Sequence, residues 1–106
     1  MDAGNAADAV TLADITAARG VAGAVAKHTP VVSSVALSND FGQPVVLKAE
    51  SLQRTGSFKI RGAYNVVRQL TRDQLRDGVW TVSAGNAAQG VALAAREAGT
   101  RCSVMV

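Results

Sequence analysis

The strongest constraint on this chain is an alternation of short β-branched runs with longer segments that have helical apolar spacing. The strand-like runs cover residues 44–50, 79–82 and 101–106, and the helix-like segments between them cover residues 57–70 and 87–98. Strands that alternate with helices are joined by crossover connections, which place the strands parallel. The order therefore predicts an α/β fold with βαβ units and an open parallel sheet.

The first ten residues are small and polar, and we expect residues 1–10 to form a flexible tail. Thr11 and Asp14 have the spacing of a capping box, which predicts a helix that runs to about Lys27. Pro30 then prevents continuation, because the residue before a proline is disfavoured in helix.

Turn residues separate the remaining segments. The Asp-Phe-Gly triplet at 40–42 predicts a turn before the first strand, and residues 51–56 are polar and turn-rich. Thr71 followed by Gln74 predicts a short helix that ends at Gly78.

Bulk properties exclude several classes of protein. The 106 residues suit one domain, their 48% apolar content argues against disorder, and the net charge is only 11 − 8 = +3. The nearest approach to a basic stripe consists of Arg61, Arg68, Arg72 and Arg76. Acidic residues interrupt it and Tyr64 is the one aromatic residue within it, so we interpret it as a solvated helix face and expect no nucleic-acid partner. No apolar run spans a bilayer and no secretory signal is recognisable, so we expect a cytoplasmic protein without a membrane partner.

The single cysteine, Cys102, lies in an apolar run and is interpreted as a strand thiol.

The junction between the predicted strand at 44–50 and the predicted helix at 57–70 places a lysine in the first turn of that helix. Ser57 can cap this helix, and Lys59 follows two residues later. The positive end of the helix dipole disfavours a cation there, which would favour the neutral amine, the form that attacks carbonyls. The alternative is an ordinary lysine that reaches solvent.

The junction after the strand at 79–82 is rich in small and polar residues. Free backbone N–H groups at a helix start bind carboxylates or phosphates, and the side chains of Ser83, Asn86 and Gln89 can add hydrogen bonds. The alternative is a simple capped helix. Gly85 and Gly90 do not form a nucleotide motif, because neither Lys-Ser/Thr nor G-x-G-x-x-G accompanies them.

Together, the two junctions would lie on neighbouring strand ends, where parallel sheets bind ligands. A reactive lysine beside an anion-binding turn suits an amino acid that is held by its carboxylate next to an aldehyde cofactor.

Two motifs at these junctions resemble those of the serine/threonine dehydratases, or ammonia-lyases, which are fold-type II pyridoxal-phosphate enzymes of the group that includes the tryptophan synthase β chain. The resemblance runs from about Thr11 to Val106. The motifs and their flanking matches are QRTGSFKIRGA at 53–63, SAGN at 83–86 with Gln89-Gly90, His-Thr-Pro at 28–30 and LKAE at 47–50.

The resemblance implies roles for individual residues. Lys59 would carry pyridoxal 5′-phosphate as a Schiff base and move the α-proton of the substrate. Phe58 would pack against the cofactor ring, and Asn86 would hydrogen-bond its 3′-oxygen. The substrate carboxylate would be held by Ser83, Gly85, Ala87 and Gln89. The implied reaction is α,β-elimination of L-threonine or L-serine to a 2-oxo acid and ammonia, in a homo-oligomer; no metal site is assigned.

Two positions depart from the pattern of the resembling family. Ala87 stands where a histidine is common, which predicts an altered affinity or substrate range without loss of the chemistry. Ala84 stands where racemising relatives have a hydroxyl, which favours elimination over racemisation.

The chain also lacks counterparts of the family's glycine-rich phosphate loop and ring-nitrogen partner. We therefore expect residues 11–106 to be the N-terminal part of a longer catalytic domain that is truncated at its C-terminus. The alternatives are a non-catalytic fragment or pseudoenzyme and, within the same fold, a serine racemase or a threonine synthase-like enzyme.

Overall fold

The computed structural model of the protein describes residues 9–106, which form a mixed α/β arrangement of five α-helices and four short strands. The predicted tail at residues 1–10 falls outside this range except for its last two residues. The helices are α1 (Leu12–Ala22), α2 (Val35–Phe41), α3 (Lys59–Val67), α4 (Arg72–Arg76) and α5 (Asn86–Glu97). The strands are β1 (Val31–Ser33), β2 (Val46–Lys48), β3 (Val79–Val82) and β4 (Cys102–Met105).

The C-terminal half contains the predicted parallel βαβ unit. Strands β3 and β4 pair in parallel, with Val79 opposite Cys102 and Val82 opposite Met105, and α5 connects them. Cys102 lies in strand β4, as expected, and is half-buried. The prediction of an α/β fold with a parallel sheet is therefore confirmed.

The first predicted strand does not join that sheet, which corrects the sequence prediction. Strand β2 pairs antiparallel with β1, and Val31 lies opposite Lys48 in a separate two-stranded sheet. The sequence predicts no strand at β1 and indicates only a helix stop just before it. A three-residue strand is too short for its alternation to be distinguished from coil.

Helix α1 ends earlier than its apolar spacing predicts. Gly23 terminates the helix after Ala22, and the next residues form a tight turn in which the Val25 N–H donates to Ala22 O. The backbone of Lys27 is bonded instead by the side chain of Gln53, which accepts from the Lys27 N–H and donates to its carbonyl. A distant side chain thus replaces the helical partners at the end of the predicted helix.

Helix α2 has no counterpart in the sequence prediction, and it corrects the expected turn at residues 40–42. Ser34 begins the helix, since its hydroxyl accepts from the Leu37 N–H. Asp40 and Phe41 are its last two residues, and Gly42 ends it in the left-handed region at φ 67°. Only glycine adopts this conformation at little cost, so the turn itself begins at Gly42.

The two predicted capping boxes are confirmed. The Thr11 hydroxyl donates to the Asp14 carboxylate and accepts from the Asp14 N–H, while the same carboxylate accepts from the Thr11 N–H. Both hydrogen bonds to the carboxylate lower the pKa of Asp14, and the bond from the Thr11 hydroxyl has the larger effect. Thr71 and Gln74 form the same reciprocal backbone pair at the start of α4.

The core lies where α3 crosses α5, with the segment after α1 closing one side. Its buried members are Val25, Ile60, Tyr64, Val67, Leu93 and Ala94. Small residues on α5 bring the two helices close, and Ile60 is the largest side chain with full burial. In residues 9–106, no helix is both long and apolar enough to cross a membrane.

We predict that Ile60→Ala lowers the free energy of unfolding by about 2–5 kcal/mol, because it removes buried carbons and leaves a cavity. Ile15→Ala is the matched control, since Ile15 on α1 is 58% exposed, and it should change stability by less than about 0.5 kcal/mol. Urea denaturation followed by circular dichroism measures both values. Equal losses in the two variants would contradict this location of the core.

Candidate active site at two helix starts

The first residue of α3 is Lys59, as its sequence position predicted. The buried Ser57 hydroxyl accepts from the Lys59 N–H at 3.3 Å, so Ser57 satisfies an amide at the helix start although Phe58 occupies the capping position. The Lys59 side chain is exposed, and its Nζ lies 5.3 Å from the centroid of the Phe58 ring. This distance is within the range of a cation–π contact, so Phe58 orients the amine.

The second helix start leaves backbone amides available. Helix α5 begins at Asn86, one residue earlier than predicted, and in the part of the chain that the structure describes no side chain caps it. The Ser83 hydroxyl accepts from the Gly85 N–H at 3.1 Å, and the first backbone bond of the helix joins the Gln89 N–H to Gly85 O. The amides between these two bonds point along the positive end of the helix dipole, which suits an anion.

Helix packing brings the starts of α3 and α5 together. The sequence predicts instead that the ends of two neighbouring strands bring them together. Strands β2 and β3 belong to different sheets, so their ends are not neighbours. Helix α5 instead lies against the first turn of α3 at Gly90, where an added Cβ would be 3.0 Å from the Lys59 carbonyl carbon and 3.1 Å from the Ile60 nitrogen. Glycine permits this approach without strain, whereas any Cβ at this position would require one of the two backbones to shift.

A cavity of about 690 Å³ opens beside this contact. Of the seven predicted site residues, Phe58, Lys59 and Ala87 line it, and apolar residues of α3 and β3 form much of the remaining wall. The other four predicted residues are outside the lining: Ser83, Gly85, Asn86 and Gln89. The cavity is thus shared by Lys59 and the first turn of α5, whereas the polar loop before α5 does not line it.

A buried amide anchors the segment that precedes Lys59. Gln53 is 4% exposed, and its side chain makes four hydrogen bonds. Its oxygen accepts from the N–H groups of Lys27 and Arg54 at 2.8 and 2.9 Å. Its nitrogen donates to Lys27 O at 2.9 Å and to the Glu50 carboxylate at 3.1 Å. The loop after α1 and the loop before α3 are therefore held to each other.

Glu50 extends this network to α3. One carboxylate oxygen accepts from the buried Thr29 hydroxyl and from Gln53, and the other accepts from Arg61 in an ion pair. The bond from Arg61 is the main cause that lowers the pKa of Glu50 from its ordinary 4.5 to about 2, despite partial burial. Arg61 is therefore paired within the molecule although its side chain is 37% exposed, whereas Arg68 at the end of α3 is exposed, so only the latter fits the expected solvated face.

The sequence signals for these supporting residues were weak. Glu50 is the last residue of the predicted strand at 44–50, and Gln53 lies in the polar, turn-rich stretch after it, where no periodicity distinguishes a buried amide from a solvated one. Gly90 had a signal, because a glycine inside a helical pattern often marks a close approach. Its partner, Lys59, could not be identified from that pattern.

The sequence profile of the family described as "Pyridoxal-phosphate dependent enzyme" matches residues 24–106. The chain belongs to this family. The sequence resemblance and the expected cofactor, pyridoxal 5′-phosphate, are thereby confirmed at the level of the family.

Curated relatives include threonine-degrading enzymes. The chain is 44% identical over 97 residues to the L-threonine ammonia-lyase of Thermotoga maritima, an alignment that covers 92% of this chain and 24% of that protein. It is 45% identical over 82 residues to the mitochondrial threonine dehydratase of Schizosaccharomyces pombe, with coverage of 77% and 14%. The chain therefore spans about a quarter or less of the length of these relatives.

Solved structures with the same fold come from both threonine deaminases and serine racemases. The maize serine racemase superposes with a TM-score of 0.81 at 36% identity over 91% of this chain and 30% of that one. The processed form of threonine deaminase isoform 2 from Solanum lycopersicum superposes with a TM-score of 0.70 at 36% identity, with coverage of 90% and 28%. Both similarities support a fold-type II arrangement.

The residues present fit an aldehyde cofactor with an aromatic ring. An exposed primary amine is what such an aldehyde condenses with, and Lys59 provides it at the wall of a cavity large enough for a small molecule. Phe58 supplies an apolar ring surface in the same wall.

We predict that Gly90→Ala lowers the free energy of unfolding by about 1–3 kcal/mol, because the new Cβ overlaps the backbone at Lys59. Gly20→Ala in α1 is the matched control, since no atom lies within 4 Å of an added Cβ there. It should raise stability by up to about 1 kcal/mol through helix propensity. Chemical denaturation of both variants tests this, and a stabilising Gly90→Ala would refute the close approach.

We predict that Glu50→Gln lowers the free energy of unfolding near neutral pH by about 2 kcal/mol, because Arg61 loses its charged acceptor. The folded-state pKa of Glu50 is lowered, so its contribution is complete above 4.5 and disappears as the pH falls toward 2. The gap between wild type and variant should therefore close over that interval. Denaturation curves at a series of pH values measure the gap, and a pH-independent gap would contradict the assignment.

Proposed function

We propose that this chain is the lysine-bearing part of a pyridoxal-phosphate-dependent ammonia-lyase that converts L-threonine or L-serine to a 2-oxo acid and ammonia. The observation that carries the proposal is that Lys59 and Ala87, which lies in the first turn of α5, line the same cavity beside the contact of Gly90 with the Lys59 backbone. Relatives named for threonine deamination support the choice of reaction.

Lys59 has two tasks in this proposal. When bound, the cofactor acts as an electron sink for the bond that breaks at the α-carbon. The Lys59 amine would hold the cofactor until the amino group of the substrate replaces it there. The freed amine would then accept the α-proton, and the β-hydroxyl would leave with a proton as water. Hydrolysis of the product gives the 2-oxo acid and ammonia. The cation–π contact with Phe58 holds the amine near the cavity before the cofactor binds.

The start of α5 would hold the substrate carboxylate. The backbone N–H of Ala87 and the side chains of Ser83 and Gln89 would supply donors next to a positive helix end. The Gly85 N–H, which is bonded to the Ser83 hydroxyl, would join them by exchanging that partner for the carboxylate. Ala87 adds only its backbone N–H, so its methyl group makes the cavity wall more apolar than a histidine would. Asn86 would donate to the oxygen on the cofactor ring from the first position of the helix.

The second candidate function is racemisation of serine, which the likeness to serine racemase structures favours. Racemisation needs a second proton donor on the opposite face of the α-carbon. Ala84 has no hydroxyl to serve as that donor, which supports elimination. The remaining alternatives are a threonine synthase-like enzyme and a non-catalytic fragment or pseudoenzyme. A cytoplasmic location and a homo-oligomeric state stay predictions.

We predict that pyridoxal phosphate followed by borohydride labels Lys59 in preference to the other two lysines of the chain, Lys27 and Lys48. Peptide mapping by mass spectrometry measures the label at each lysine, and Lys59→Arg is the control that should lose the preferred label. In the longer protein, Lys59→Ala should abolish release of 2-oxobutyrate from L-threonine. Even labelling of all three lysines would favour the non-catalytic alternative, and formation of D-serine without oxo acid would favour racemisation.

A further inference from the structure

The residues around Lys59 form a closed loop, which we call the Glu50–Arg61 loop. Its ends are joined by the ion pair between Glu50 and Arg61, eleven residues apart. Lys59 lies only two residues before the arginine end of the loop. A movement at this ion pair therefore reaches the lysine through a single turn of α3.

The middle of the loop is conformationally strained. Thr55 has φ 64°, in the left-handed region, and it is the one residue other than glycine with a positive φ in the described part of the chain. A β-branched residue is a true outlier there. Its hydroxyl is buried and has no hydrogen-bond partner among residues 9–106. Such a conformation persists only where surrounding contacts enforce it.

The contacts that enforce it come from the two polar side chains at the start of the loop. Gln53 uses all of its donors and its acceptor on Lys27, Arg54 and Glu50, which fixes the chain just before the strained turn. Glu50 binds Thr29 on one oxygen and Arg61 on the other. The strained turn is thus tied at both ends to the segment after α1.

We propose that Glu50 is a positioning residue: through its ion pair with Arg61 it holds the Glu50–Arg61 loop in its strained form, which keeps the Lys59 amine over Phe58 and ready to react. The reactive role of Lys59 rests on the proposed function, whereas the geometry of Lys59 over Phe58 does not. Glu50 itself touches neither cofactor nor substrate. Glu50 instead determines the orientation of the Lys59 amine.

The first experiment measures geometry without any cofactor. Reductive methylation with ¹³C-formaldehyde gives NMR signals from three lysines, and the ring of Phe58 should displace those of Lys59 from those of Lys27 and Lys48. In Glu50→Gln, the Lys59 signals should move toward the values of the other two. Asp14→Asn is the matched control, because it weakens the α1 cap without removing a hydrogen bond of the Glu50–Arg61 loop and should leave the signals in place.

The second experiment measures reactivity on the same variants with pyridoxal phosphate and borohydride. The label at Lys59 relative to the other lysines should fall by about tenfold in Glu50→Gln and in Arg61→Gln, because small misplacements of a reacting group are costly. The double variant should lose no more than either single one, since both remove the same ion pair. Arg61→Lys keeps the charge and should lose less. All variants are compared under solution conditions in which circular dichroism shows that they are folded.

The outcomes separate the two ideas. Unchanged Lys59 signals in Glu50→Gln, or the same displacement in Asp14→Asn, would overturn the positioning role whatever the cofactor does. A shift of the NMR signals in Glu50→Gln, combined with no preference for Lys59 in the wild-type label, would support the positioning role and overturn the proposed function.

Discussion

The close approach of α5 to the first turn of α3 is the contact on which the rest of the structure depends. At Gly90 the two backbones meet so closely that an added Cβ would lie 3.0 Å from the Lys59 carbonyl carbon and would force one of them to shift. The same crossing buries Ile60 and Ala94 completely. It also brings the first turn of α3, which carries Lys59, against α5, so core packing and the relative position of the two helix starts arise from one contact.

Polar bonds complement this small core. The core residues are few and mostly small, and Ile60 alone among the large described side chains is fully buried. The Gln53 and Glu50 network therefore supplies much of the connection between the loop after α1 and the lysine-bearing helix. Fully satisfied polar groups of this kind specify a single arrangement, because any shift leaves a buried donor or acceptor unpaired.

The proposed chemistry divides between two helix starts. The start of α3 carries the Lys59 amine, and the start of α5 presents N–H groups, which the helix dipole favours for an anion. In the proposal, an amino acid substrate has one group for each helix start. Its amino group can replace Lys59 on the cofactor, and its carboxylate can bind at the start of α5. Lys59 and Ala87, one from each helix start, line the same largely apolar cavity.

The sequence by itself determined the features that are local along the chain. The capping boxes at Thr11 and Thr71, the β3–α5–β4 unit and the position of Lys59 at a helix start follow from patterns within one or two turns. The antiparallel pairing of β1 with β2, the early end of α1 and the meeting of Gly90 with Lys59 were decided only by the tertiary structure. Each joins segments far apart in sequence, as Gln53 joins Lys27 across 26 residues. Spacing within one segment carries no information about the segment that will supply its partner.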